Sequence, residues 1–428
     1  MTDDRAIDIR NRQAAALSPS LIRLRPGFQR YSWGDPSFVG ALFGEPSSAT
    51  RPCAEAWLGD HPAAPATAIL ADGRTPLDSL LEQEGLRLLG PEISSRFGGL
   101  PYLLKVLAAA RPLSIQVHPT AEQAVEGFRR ENDAGIPIDA PHRLYRDSNP
   151  KPELIVALGT FYALSGFRPA EEIATQLGLM PDIAGLLPRF DGTQAGLAAL
   201  VRTCLELPRE ELDPAVERLL DRIATDSSDR MTDLNEIWPW MLSAHRQLSS
   251  GGPPDRGLLL LPLLNLVRLD PGQALFTPPG TPHAYLRGAA VEVMASSDTT
   301  LRCGLTSKHV DAGTFLEVSD LRGGPARIVV PVVASDGEER YPAPVAQFVV
   351  SRITAGPQNP RLRRRSRGPE VLLCVTGSQE ESVAVRTDAE CVALGRGGAC
   401  LVADGTAYRV ESPATSVLFR VRTESPGR

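Results

Sequence analysis

Four short segments concentrate residues that can bind a metal, hold an anion or move a proton. In Leu113-Ser114-Ile115-Gln116-Val117-His118-Pro119, Gln116 and His118 are two apart. On a strand both point to one face, while Ile115 and Val117 pack on the other. Histidine is a good zinc ligand and glutamine can offer its carbonyl oxygen; the bland alternative is a half-buried strand with two polar residues outward. In Asn149-Pro150-Lys151-Pro152-Glu153, two prolines stiffen the chain and hold an ammonium and a carboxylate in defined directions. That pair suits a metal ligand beside an acid–base or phosphate-binding group, against the alternative of an ordinary surface ion pair. The segment 270–285 sets Pro271, Gly272, Pro278 and Gly280 around a strand and a stiff turn that leads into His283. In 291–311, Glu292 lies between valines, where a carboxylate is disfavoured unless paired or at a site. Asp298, Arg302 and Lys308 follow with groups for proton transfer or anion binding; the alternative is a charged loop capping a barrel.

Lysine sharpens this reading. Of the 45 basic residues only Lys105, Lys151 and Lys308 are lysine; the rest are arginine. A chain that uses arginine wherever a plain cation will do has reason to keep lysine where a compact ammonium with a movable pKa is needed.

The elements that must position these residues are mostly strands. From 21 to 167, short apolar runs are punctuated by Gly and Pro, as in antiparallel β structure, with helical spacing at Leu77–Leu89 and 121–132. Residues 168–257 turn helical, at 171–177, 194–205, 213–223 and 234–248, and end in the Ser/Gly/Pro linker 249–254. The run 258–264 reads as a buried strand. From there short strands recur every 8–12 residues or so, which predicts a sandwich or barrel. The predicted fold is mainly β with an all-helical insertion domain. Its parts are a first β part at 21–167, the insertion at 168–257, a second β part at 258–325 and a C-terminal β part at 326–428.

Composition excludes several classes. With 428 residues there is ample length for sizeable cores. A net charge of −6 argues against nucleic acid as a partner. The arginine run 361–367 then reads as a solvated edge or loop. The longest apolar run, 257–267, is too short to span a bilayer, so no membrane partner is expected. Six scattered cysteines without a CxxC pair fit a reducing cytoplasm. His61, His142, His245 and His309 read as packing or solvated residues.

Pro271-Gly272, Pro278, Gly280 and His283 resemble the second half of the cupin signature, with one residue fewer between Gly272 and Pro278. That resemblance implies cupin-type jelly-roll barrels, with a catalytic cupin domain in two parts, 21–167 and 258–325, and a C-terminal β jelly roll at 326–428. All four segments, with Tyr31-Ser32-Trp33-Gly34 and 54–62, resemble the type I phosphomannose isomerases over most of the chain. The resemblance implies one zinc per chain, held by Gln116, His118, Glu153 and His283. It places the family's catalytic arginine on Arg302 and further active-site positions on Lys151, Glu292, Asp298 and Lys308. Ser114 matches a position linked to phosphate. The implied activity is a metal-dependent aldose–ketose isomerase, an intramolecular oxidoreductase that interconverts mannose 6-phosphate and fructose 6-phosphate. The implied setting is cytoplasmic carbohydrate metabolism leading to GDP-mannose, as a monomer or weak homo-oligomer. Pro150 stands where the family commonly has histidine. Two other readings stay open here: a non-catalytic metal-bearing cupin that binds sugar phosphate, and a cupin enzyme with other metal chemistry.

Overall fold

The computed structural model describes residues 19–226, 228, 230, 233–248, 252–358, 362–377 and 381–424. Linker positions 249–251 and Arg361 lie outside the described residues, as do the first 18 residues. The fold is mainly β with some helices, built on an eleven-stranded, a nine-stranded and a four-stranded sheet.

The eleven-stranded sheet is organised by one long strand, His283–Ala295. Its C-terminal part pairs with Tyr102–Ala109 on one side and Glu153–Ala157 on the other. Its N-terminal part pairs with Phe161–Phe167 and meets Ile115–Val117. Between the two parts Gly288 has φ +127°, and a Cβ there would lie 2.7 Å from the Thr160 carbonyl oxygen. Only glycine meets both demands, so the strand bends here and serves two walls of the sheet.

Each wall reads as an alternation. Leu104, Val106, Leu154, Val156, Val291 and Val293 face the nine-stranded sheet and pack on its Val350, Val371, Leu373, Leu401, Phe419 and Val421. The opposite face carries Leu107, Ile155 and Ala290, and by parity also Lys105, Glu153 and Glu292. The period of two therefore places three charged residues inside the bent sheet.

The nine-stranded sheet draws on strands from near both ends of the described residues. Leu21–Arg25 pairs with Ala399–Val402 and with Thr67–Leu70. Strands that precede the helical segment thus share one sheet with C-terminal strands.

Among the described residues four α-helices lie between Phe161–Phe167 and Leu264–Leu269: Ala170–Gly178, Gln194–Glu206, Arg209–Thr225 and Trp238–Leu248. They bury Leu200, Val216, Leu219 and Trp238 in one core with Ile115, Leu164 and Leu301. The run expected as a buried strand at 258–264 is instead a 3-10 helix, Arg256–Leu263. Asp255 caps it by accepting from the Gly257 N–H at 2.7 Å. Every residue from Gly257 to Leu263 is buried, so the run carried no periodicity to separate strand from helix. Among the described residues no helix is long and apolar enough to cross a membrane.

Candidate metal centre and active site

The bent sheet brings Gln116, His118, Glu153 and His283 together. Gln116 lies between His283 on one neighbouring strand and Arg302 on the other, all three in cross-strand register. His118 follows two residues on, and its carbonyl accepts from the Gly280 N–H at 2.7 Å, which ties the two turns together. Glu153 opens its strand with Thr277 and Met294 as partners.

Both imidazoles are aimed by their backs. Nδ1 of His118 is 3.0 Å from the Thr299 carbonyl and Nδ1 of His283 is 2.9 Å from the Thr281 carbonyl. A carbonyl can only accept, so Nδ1 carries the proton and Nε2 presents a lone pair. The Nε2 atoms lie 3.2 Å and 3.1 Å from the two oxygens of Glu153. One donor atom from each of these three residues lies within 4.8 Å of the others, and all three residues are buried. Gln116 Nε2 is 3.3 Å from His283 Nε2; turning the amide by 180° presents its oxygen to the same point.

Two observations fit this cluster to a divalent cation. His118 Nε2 is buried and makes no hydrogen bond, although Glu153 is near. Burial is the main cause that holds the His118 imidazole down at about 4, with Lys151 adding to it, so the ring is a neutral donor. Burial opposes ionisation of Glu153, but Lys151 and His118 outweigh it, and the carboxyl stays well below its ordinary range. Two imidazole nitrogens, an amide oxygen and one carboxylate would make a four-donor set that suits zinc.

Charged groups ring this cluster. Lys151 Nζ is 3.3 Å from Glu153. Glu292 accepts from the Tyr285 hydroxyl at 2.8 Å and lies 3.2 Å from Lys105 Nζ. Burial raises the Glu292 carboxyl, and Lys105 only partly offsets it. Burial opposes charge on Lys105 as well, but Glu292, Glu55 and Glu153 outweigh it and hold the ammonium above its ordinary range. The ammonium also sits 4.9 Å from the centre of the Trp57 ring.

The other expected residues lie toward the mouth. Asp298 is exposed and paired with His61 Nε2 at 3.1 Å; that hydrogen bond is the first cause that keeps its carboxyl low. Arg302 is half-buried, with NH1 3.5 Å from the Thr300 carbonyl. Lys308 is exposed, and the nearby charge of Arg302, then burial and Arg146, lower its ammonium. Ser114 is half-buried just before the Gln116 strand. Asp255 fixes the segment after Arg302, since its carboxylate accepts from the N–H groups of Leu305 at 2.8 Å and Thr306 at 3.2 Å. Asp147 stitches the loop after Met294 in place by accepting from the Asp298 N–H at 2.7 Å and the Ser297 hydroxyl at 2.8 Å.

The structure adds residues that sequence reasoning left without a role. Lys105 had a signal, as a rare lysine flanked by Leu104 and Val106 on a buried strand. His61, read as a packing residue, supports Asp298. Arg146 had no signal, because arginine is the default cation of this chain.

Residues 21–170 match the family model for the catalytic domain of phosphomannose isomerase type I. Mannose-6-phosphate isomerase of Escherichia coli (strain K12) is 37% identical over 355 residues, covering 82% of this chain and 87% of the relative. The Homo sapiens mannose-6-phosphate isomerase is 32% identical over 365 residues, covering 78% and 82%. Among solved structures, mannose 6-phosphate isomerase from Salmonella typhimurium bound to substrate (fructose 6-phosphate) and zinc superposes with a TM-score of 0.82 at 32% identity. That match covers 95% of this chain and all of the other. The His–Glu–His cluster thus sits in a chain that belongs to the type I phosphomannose isomerases.

Proposed function

We propose that this chain is a zinc-dependent aldose–ketose isomerase that interconverts mannose 6-phosphate and fructose 6-phosphate. The observation that carries the reading is the convergence of His118, Glu153 and His283, inside a ring of lysines and carboxylates. Gln116, His118, Glu153 and His283 would hold the ion. Bound there, zinc supplies Lewis-acid stabilisation of negative charge on a substrate oxygen.

The reaction moves a proton between C2 and C1. That proton is a weak acid, and its removal leaves charge on an adjacent oxygen. Lys151, beside Glu153, places an ammonium where it donates to a substrate oxygen. Asp298, kept ionised by His61, is the carboxylate free to take and return a proton at the mouth. Glu292 is held by Lys105 and Tyr285, so its work is to fix the charge pattern of the floor. Arg302, in register with Gln116, stands between the ligand cluster and the basic mouth and steadies the reacting oxygens. Lys308, with Arg146 and Ser114, is the phosphate side of the site.

We read residues 21–167 and 258–325 as the catalytic cupin unit, residues 168–257 as a helical insertion and residues 326–428 as a second jelly-roll unit. The pairing of Leu21–Arg25 with Ala399–Val402 makes the two β units share a sheet. A site complete within one chain supports action as a monomer or weak homo-oligomer. Six free cysteines support a reducing cytoplasm.

The test is to incubate the purified chain with mannose 6-phosphate and follow fructose 6-phosphate by a coupled assay, with and without chelator. Conversion abolished by chelator and restored by zinc is the expected result. Absence of conversion by zinc-loaded protein would overturn the reading in favour of a sugar-phosphate binder.

A further inference from the structure

The second face of the nine-stranded sheet packs on the four-stranded sheet. Leu372, Leu418, Val402 and Val410 fill the space between them. Toward one end the same alternation brings charge instead of leucine, because Glu370 precedes Leu372 by two and Arg420 follows Leu418 by two. Arg420 donates through Nε and NH2 to the two oxygens of Glu370 at 2.8 and 2.7 Å, and through NH1 to Glu338 at 2.9 Å. Tyr408, from the facing sheet, donates to Glu370 at 2.6 Å.

Arg364 also comes from the facing sheet, on Leu362–Arg365, where its parity with Leu362 turns it inward. Its side chain is only 10% exposed, whereas Arg363 and Arg365 on the same edge strand are exposed, as expected of a solvated edge. NH1 of Arg364 is 2.8 Å from Asp336 and NH2 is 3.2 Å from Glu338, while Nε is buried without a hydrogen bond. A buried guanidinium with an unmet donor is costly.

A cavity of about 350 Å³ opens at this point, lined by six arginines and four carboxylates. Glu338 and Glu370 are committed to Arg420, and Asp336 to Arg364. Among the described residues, Arg340, Arg365 and Arg367 have no carboxylate within ion-pair distance. The cavity is therefore a basic pocket in a chain whose net charge is −6. Guanidinium groups reach it from both sheets, an arrangement that suits a tetrahedral oxyanion better than a planar carboxylate. Its volume lies within the roughly 300–1,000 Å³ of small-molecule sites.

We propose that this cavity is a second anion site, which takes a small molecule bearing a phosphate group. It is separate from the catalytic centre. The eleven-stranded sheet, the core it shares with the nine-stranded sheet, and the nine-stranded sheet itself lie between them. Bound phosphate relieves the repulsion among Arg340, Arg365, Arg367 and Arg422, which line the cavity.

The test is equilibrium dialysis of the zinc-loaded full chain with radiolabelled inorganic phosphate. The wild type is expected to bind phosphate at two sites. Arg340→Ala with Arg367→Ala, both exposed in the structure, should weaken one site by roughly tenfold or more and leave turnover unchanged. Arg302→Ala with Lys308→Ala should remove only the other. A single wild-type site lost in the Arg302 variant would overturn the proposal. So would unchanged binding in the folded Arg340 and Arg367 variant, with folding checked by its thermal midpoint.

Discussion

Two interiors of this molecule are charged, and they are built differently. The catalytic floor uses lysine, histidine and glutamate: Lys105 on Glu292, Lys151 on Glu153, and two imidazoles on the same carboxylate. The sandwich interior uses arginine and glutamate, with Arg420 gripping Glu370 by two parallel bonds and Glu338 by a third donor. Forked pairs fix geometry and stay charged, so they hold a structure. Point-charge pairs leave donors and lone pairs free for an ion or a substrate. Two of the three lysines of the chain lie on that floor and the third lies beside Arg302 at its mouth, which is what a chemical requirement for ammonium predicts.

Several variants would break or sharpen this contrast. The largest effect on turnover is expected for His118→Ala or His283→Ala, with a loss beyond the roughly 10–100-fold that removal of an outer-sphere partner costs. Zinc content per chain by metal analysis checks that metal is lost in step with activity. The largest effect on stability belongs to the other interior. Arg420→Met leaves buried Glu370 without its cation and Glu338 with Arg364 alone, and should cost about 3–5 kcal/mol in urea unfolding, with zinc content unchanged.

Lys105→Arg separates the two designs directly. It keeps the charge but forces a larger fork between Glu292 and Trp57, and turnover should fall by about 100-fold with little change in KM. An unchanged rate would show that any cation serves there. The pH dependence of stability should report the arginine interior. Burial opposes ionisation of Glu338, yet Arg420, Ser351 and Arg364 hold its carboxyl below the ordinary value. Its contribution is therefore complete above the unfolded pKa of about 4.3 and is lost as pH falls below it toward the folded value. Thermal midpoints between pH 6 and 3 should drop in that acid window, and less steeply in Arg420→Met. The smallest effect is expected for His61→Asn, which loosens Asp298 and should lower turnover by roughly tenfold, with a shift in the acid limb of the pH–rate profile.

Much of this was legible in the sequence. The charged residues on short strands announced the floor, because a carboxylate such as Glu292 among valines has to be paired or used. The spacing of two in Gln116 and His118, and in Lys151 and Glu153, gave their shared face. What the sequence hid was partnership across distance. Nothing local links Lys105 to Glu292, or His61 to Asp298, 237 residues away. The 258–264 run misled because a stretch buried on every side has no period. The arginine run lies on a solvated edge as its composition predicts, and only the alternation from Leu362 turned Arg364 inward.

The bent strand His283–Ala295 has a consequence for how the chain is made. Its partners Tyr102–Ala109, Ile115–Val117, Glu153–Ala157 and Phe161–Phe167 all precede it, and the helical segment separates them from it. At a synthesis rate of about 5–20 residues per second, those strands wait roughly ten seconds on the ribosome for the strand that joins them. During that interval they have unpaired edges, the kind of surface that recruits other chains. The helices synthesised meanwhile carry the residues that later cover Ile115, Leu164 and Leu301. The chain order thus makes the helical segment an early shield for one wall of the bent sheet, and the assembly of the candidate metal ligands a late event of biosynthesis.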